Sequence, residues 1–197
     1  SLAALNTGLE ILKNVQRHDS LEGYVNSVIS HFANDARVHV WDLFNEPCNR
    51  NVASYGAHEP ENKADLSLAL LQRVFSWARS ANPTQPLTSG VWIGEWCEEK
   101  IKELDRFMLE HSDVITFHNY ESPDEMERRI VQLQRFNRPI LCTEYMARGL
   151  NNTFENILPV FRKHKVSGYN WGLVAGKTQT NYAWDSWSVT YDGEPNL

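Results

Sequence analysis

The apolar positions of the chain change period repeatedly along its length. Leu21, Tyr24, Val25, Val28 and Ile29 recur at helical spacing behind Ser20, which predicts a helix to about Phe32 with Ser20 as its N-cap. VHVWDLF (38–44) is then a short continuous apolar run, the pattern of a buried strand. After a loop rich in Asn, Gly and Pro (47–62), ADLSLALLQRVFSWARSA (64–81) is strongly amphipathic and is stopped by Asn82-Pro83. The alternation continues. PLTSGVW (86–92) reads as a strand, 98–110 as a helix, and DVITFHNY (113–120) as a strand. SPDEMERRIVQLQRF (122–136) reads as a helix with Ser122, Pro123 and Glu125 forming a capping box. RPILCTEY (138–145) is a strand, TFENILPVFRKHK (153–165) a helix with Pro159 near its first turn, and SGYNWGLV (167–174) a final strand, followed by a loop-like tail.

Strict alternation implies parallel strands joined by right-handed crossovers, an α/β body without repeats or linkers. Either an open doubly wound sheet or part of a (β/α)8 barrel satisfies that order. The polar residues at the strand ends separate the two. Asn45 and Glu46 follow the first strand, Trp92 the second, His118 and Tyr120 the third, Glu144 and Tyr145 the fourth and Trp171 the fifth. A barrel gathers the carboxyl ends of all its strands on one face, whereas a doubly wound nucleotide binder needs a glycine-rich turn after its first strand. NEPCNRN is no such turn, so a barrel is expected.

Composition narrows the partners. With 25 acidic and 19 basic residues the net charge is −6, and no basic patch is interleaved with aromatics, which argues against nucleic acid. No apolar run approaches the ~20 residues of a membrane-spanning helix. Cys48, Cys97 and Cys142 are too few and too scattered for a zinc site or a disulfide framework, and Cys142 reads as a small apolar strand residue. No His/Asp/Glu cluster has metal-ligand spacing, so neither a metal nor a cofactor is expected. Seven tryptophans are many for 197 residues, and those at 96, 171, 184 and 187 fall in or beside loops, where an indole face serves binding as well as packing. Glu95, Glu98 and Glu99 read as a solvated helix start, and Asp42, inside an apolar run, would need a partner if buried.

Two carboxylates across a barrel mouth suit glycosidic bond cleavage, one protonating the leaving oxygen and one ionised beneath the anomeric carbon. Glu46 and Glu144 are the pair on offer. WDLFNEP, HNY and CTEY in that order resemble the retaining glycoside hydrolases of clan A, most closely the family 5-like cellulase and mannanase group. The resemblance implies that Glu46 is the general acid/base, Glu144 the nucleophile, and Asn45 a ligand of the sugar 2-hydroxyl. It further implies that Tyr120, paired with His118, hydrogen-bonds the nucleophile and that Trp171 floors the subsite beside the cleavage point. Trp92 is a candidate substrate contact or a core residue. Trp184, with Asp185 and Trp187, either lines the cleft or plugs the barrel rim, and Lys177 and Gln179 stand at the surface or near a hydroxyl.

By the same resemblance Glu46 ends the barrel's fourth strand. The chain is then expected to carry strands four to eight of one partial catalytic domain (residues 1–197), with residues 1–18 following strand three. The first three strands and the last helix would belong to a longer parent chain. The implied activity is retaining hydrolysis of β-linked, specifically β-1,4, bonds in a plant-type polysaccharide or oligosaccharide. A catalytically impaired fragment, a non-catalytic carbohydrate-binding protein and an exo-acting clan A enzyme remain alternatives. Carbohydrate is the expected partner, and a secreted or periplasmic location is what the family implies.

Overall fold

The computed structural model describes residues 2–50, 56 and 58–171, which fall into two compact units: Ser1–Trp92 with Lys102–Val114, and Ile93–Ile101 with Ile115–Leu197. The first unit runs α1 (Leu2–Lys13), a 3-10 turn (Val15–Leu21), α2 (Glu22–Phe32), β1 (Trp41–Asp42), α3 (Lys63–Ser80), β2 (Leu87–Thr88) and α4 (Glu103–His111). The second runs β3 (Ile115–His118), α5 (Pro123–Gln134), β4 (Ile140–Glu144), a 3-10 turn (Arg148–Leu150), α6 (Phe154–His164) and β5 (Ser167–Gly168). Strands pair in chain order, β1 with β2 and β3 with β4 with β5, and every pairing is parallel. Sequential parallel neighbours with a helix in each crossover are what a (β/α)8 barrel is built from.

In the first unit α3 buries Leu70, Leu71, Val74, Phe75, Trp77 and Ala78 on one face, as its periodicity predicts. Leu12, Leu70, Val74 and Trp77 form a core against which Leu21, Val25, Leu43, Phe44 and Leu66 pack. The helix stops where Asn82 turns left-handed at φ 50°. Ser20 is not the cap of α2. Asn14 caps a preceding 3-10 turn by accepting from the Gln16 N–H at 3.1 Å, and Ser20 donates to the Arg17 carbonyl inside that turn.

VHVWDLF does not make a buried strand either. Only Trp41 and Asp42 join the ladder, extended by Trp41 N–H to Pro86 O (3.0 Å) and Leu43 N–H to Thr88 O (2.9 Å). Among the described residues β1 pairs with β2 alone; Trp41 is half-buried and Asp42 exposed. Asp42 accepts from the Gly90 N–H at 3.3 Å and so needs no buried partner. β2 is the buried member, with Leu87 and Thr88 both fully covered.

In the second unit Ile115, Phe117 and Cys142 from the strands meet a core that includes Met126, Ile130 and Leu133 of α5 and Ile157 and Phe161 of α6. Ser122 caps α5 by accepting from the Glu125 N–H, with Pro123 at the first helical position. The reciprocal half of the expected box is absent, because the Glu125 carboxylate turns to Arg128 one turn on, at 2.6 Å. The full box belongs to α6, where Thr153 N–H donates to Asn156 Oδ1 at 2.9 Å. Pro159 lies inside α6, just past its first turn.

The expected helix start at residue 98 is displaced to Glu103, since 97–101 form a turn closed by Lys100 and Ile101 N–H on the Cys97 carbonyl. Glu95 and Glu98 are drawn instead to α5 and its C-cap. Glu95 pairs with Arg128 (2.6 Å) and Arg129 (3.0 Å) and accepts from Gln132, while Glu98 pairs with Arg135. Arg128 holds the Glu95 carboxyl down at about 2. Trp96, between them, is 1% exposed, edge-on to Phe117 at 6.3 Å and under the Arg129 guanidinium, so it packs the core. No helix among the described residues is long and apolar enough to cross a membrane.

Candidate active site

β3 and β4 run in regular register from Ile115 opposite Ile140 to Phe117 opposite Cys142, and there the register slips by one residue. His118 faces Glu144 instead of Thr143, so Thr143 is a bulge. The slip decides the chemistry of this corner. Side chains alternate faces along a strand, and without the extra residue His118 and Glu144 would point to opposite sides of the sheet. With it they stand side by side, His118 Nδ1 3.5 Å from Glu144 Oε2. Tyr120 reaches the same oxygen and donates its hydroxyl at 2.8 Å. His118 is 2% exposed, a buried ring at the end of an apolar strand. Cys142, fully buried beneath Glu144, donates its thiol to the Glu144 carbonyl, and burial pushes that thiol far up from its ordinary pKa.

The backbone around this trio is tied down. Asn119 N–H donates to the Glu144 carbonyl at 3.1 Å. Asn152, fully buried, gives its amide hydrogens to the carbonyls of Asn119 (3.2 Å) and Glu121 (2.7 Å) and accepts from Met146 N–H at 2.8 Å. Tyr145 continues β4 into the core, 5.0 Å edge-on from Phe161. Trp171, at the end of the segment after β5, donates its backbone N–H to the Tyr145 carbonyl (3.3 Å) and leaves 45% of its surface exposed.

In the first unit Glu46 follows β1 in the left-handed region, φ 46°, sparsely populated by residues other than Gly, Asn and Asp. Its N–H donates to Gly90 O at 3.1 Å, and Asn49 closes the turn with its N–H on the Glu46 carbonyl (2.9 Å) and its amide on Oε2 (2.6 Å). Backbone held in a costly conformation is concentrated at functional sites. The following Pro47 is buried, its carbonyl accepting from the buried Ser67 hydroxyl at 2.8 Å. Asn45 is exposed and Trp92 half-buried.

The structure thus brings His118, Tyr120 and Glu144 together in the second unit and sets Trp171 on the same unit. Asn45, Glu46 and Trp92 belong to the first. Trp184, with Lys177, Gln179, Asp185 and Trp187, lies outside the described residues. Asn49 and Asn152 were invisible as site residues in the sequence. The only sequence hint for Asn49 is an amide three residues after a strand-end carboxylate, and for Asn152 there is none.

No protein-family model and no curated protein matches the chain. Solved structures do match it, at low identity. A β-D-glucuronidase from Dictyoglomus thermophilum superposes with TM-score 0.57 and 16% identity over 85% of this chain and 30% of its own. An endo-β-1,4-mannanase from Thermotoga petrophila gives 0.60 and 15% over 82% and 42%. A family 1 β-glucosidase from Thermotoga maritima gives 0.58 and 13% over 85% and 60%. These are (β/α)8-barrel glycoside hydrolases of the clan A kind, so the fold expected from WDLFNEP, HNY and CTEY is the fold found. The chain spans less than two thirds of the length of each of these three.

Proposed function

We propose that the chain is catalytic sequence of a retaining glycoside hydrolase acting on β-linked glycans, in particular β-1,4-linked poly- or oligosaccharides. The observation that carries the reading is the carboxylate of Glu144 at the end of β4 with the Tyr120 hydroxyl on its Oε2 at 2.8 Å and His118 beside the same oxygen. A carboxylate fixed through one oxygen presents the other in a defined direction, as in-line attack on an anomeric carbon requires. The likeness in fold to three barrel glycosidases supports the same reading.

In this mechanism Glu144 bonds to the anomeric carbon while Glu46 gives its proton to the departing glycosidic oxygen, leaving a glycosyl ester on Glu144. Glu46, now ionised, takes a proton from water. The resulting hydroxyl bonds to the anomeric carbon, the ester oxygen returns to Glu144 as carboxylate, and two inversions give net retention. Such chemistry requires the two carboxyl groups about 5–5.5 Å apart. Asn45 binds the 2-hydroxyl, and Trp171, Trp92 and Trp184 offer indole faces to the sugars. Of the two that are described, the more exposed Trp171 suits stacking better than Trp92.

The test is Glu46→Gln assayed on two substrates. Formation of the glycosyl ester from an activated aryl β-glycoside, whose leaving group needs no proton, should survive, whereas cleavage of an unactivated glycan should fall by about 10²–10⁴-fold. Equal loss on both would remove Glu46 from the acid role.

A further inference from the structure

Asn152 has no place in the chemistry just described, yet it is a fully buried amide whose three hydrogen bonds end on the backbone of the residues flanking Tyr120 and of Met146, two residues beyond Glu144. We propose that Asn152 is a positioning residue that sets the Tyr120 hydroxyl against the Glu144 carboxylate; the proposal rests on the glycosidase reading above.

Both hydrogens of its amide go to the carbonyls immediately before and after Tyr120, those of Asn119 and Glu121. Its oxygen accepts from Met146 N–H, two residues beyond Glu144. Met146 has φ 88°, a conformation that side-chain-bearing residues rarely adopt, so the chain leaving β4 is held there against its own preference. Asn152 is itself fixed through the backbone. Its N–H donates to the Ala147 carbonyl at 3.2 Å, and its carbonyl accepts from Ala147 N–H at 2.8 Å. One side chain thereby bridges the segment after β3 to the segment after β4, at the two points that aim Tyr120 and Glu144. The Tyr120–Glu144 bond of 2.8 Å spans 24 residues of sequence. Asn119 N–H to the Glu144 carbonyl (3.1 Å) is the backbone bond that ties the two strand ends, and the Asn152 amide adds a tie on the far side of Tyr120 and of Glu144. A buried asparagine that merely filled a loop would satisfy its amide within the 146–152 excursion. This one directs both donors outside it.

The substitutions are Asn152→Asp, which keeps the size and the acceptor for Met146 N–H but loses both donors, and Asn152→Ala, which loses all three bonds. Misplacing a reacting group by about 1 Å costs up to about 10²-fold. Hydrolysis of an aryl β-glycoside should therefore show kcat lowered roughly 10–100-fold in Asn152→Asp with KM within about threefold. In a Tyr120→Phe background the same substitution should add little, since the group it positions has been removed. A crystal structure of the Asp variant should show Tyr120 Oη beyond about 3.5 Å from the carboxylate. Undiminished kcat, full additivity with Tyr120→Phe, or a retained Tyr120–Glu144 bond would each overturn the proposal. Wild-type protein that hydrolyses no β-glycoside would sink the glycosidase reading instead, and the variant's Tyr120–Glu144 distance would still decide the role of Asn152. Should Asn152→Asp fail to fold, a crystal structure of Asn152→Ala gives the same distance.

Discussion

Gly168 sits in β5 opposite Cys142, where no larger residue fits without displacing two aromatic rings. A Cβ at this position would lie 2.8 Å from Phe161 Cδ2, closer still to Phe161 Cε2, and 3.1 Å from Tyr145 Cε1. Neither ring has room to retreat, since each is 3% exposed and they meet edge to face at 5.0 Å. Overpacking of this kind costs about 1–3 kcal/mol. The loss of chain entropy in the unfolded state returns about 0.4–1 kcal/mol on Gly→Ala, leaving, at the middle of both ranges, a net cost of about 1–2 kcal/mol. For a chain of 197 residues that is a fall in Tm of roughly 2–8 °C. The assay is urea and thermal unfolding followed by tryptophan fluorescence, on Gly168→Ala, Phe161→Leu and the double variant. Leucine at position 161 removes the clashing ring edge, so the alanine should cost less in that background than in the wild type, a coupling of about 1 kcal/mol. An alanine tolerated at no cost, or costing the same whether position 161 holds phenylalanine or leucine, would refute the packing argument and with it the seating of β5 on α6.

Two further outcomes follow from the second unit. Glu95 is held ionised by Arg128, so its contribution is fully present above its unfolded pKa near 4.5 and is lost as pH falls from there towards about 2. The urea midpoint of Glu95→Gln should lie below wild type at pH 6 and converge with it near pH 2. The difference should stay below about 1 kcal/mol, because these side chains are more than a third exposed; a gap independent of pH would contradict the ion-pair assignment. Thr143, the bulge residue, buries a hydroxyl that finds no partner among the described residues. Thr143→Val should therefore leave the urea midpoint unchanged or raise it, and a loss above about 1 kcal/mol would mean that the hydroxyl is bonded.

Much of the architecture was readable from periodicity, because helices α3, α5 and α6 bury one face each and the strands between them carry apolar runs. The reading failed where tertiary pairing overrides local pattern. VHVWDLF is apolar enough for burial, yet burial depends on neighbours on both edges, and β1 has a described neighbour on one only. Glu95 looked solvated because its arginine partners lie 33 and 34 residues further on. Ser20 has the right chemistry for a cap, but Asn14 starts a tighter turn before it and leaves no free helix start to cap.

At the site, residue types were legible and geometry was not. HNY and CTEY supplied the residues that meet in the second unit. What places them face to face is a one-residue bulge at Thr143, and register between strands leaves no trace in the period of either one. The supporting amides were equally silent, since Asn152 acts on backbone groups 31 and 33 residues away. The polar tip of WDLFNEP was legible as chemistry but not as conformation. There Asn49 and Gly90 hold Glu46 in a left-handed turn, the kind of backbone strain that concentrates at functional sites.

The nucleophile that this mechanism pairs with Glu46 is tested most directly by trapping the intermediate. A 2-deoxy-2-fluoro glycoside with an activated leaving group slows both steps by destabilising the oxocarbenium-like transition state, and it slows release enough for the glycosyl ester to accumulate. Peptide mass spectrometry after incubation with the gluco- and manno-configured reagents should find the added sugar on Glu144, and Glu144→Gln should take up none. Turnover of a β-glycoside with no adduct, or an adduct on any other residue, would contradict Glu144 as the nucleophile.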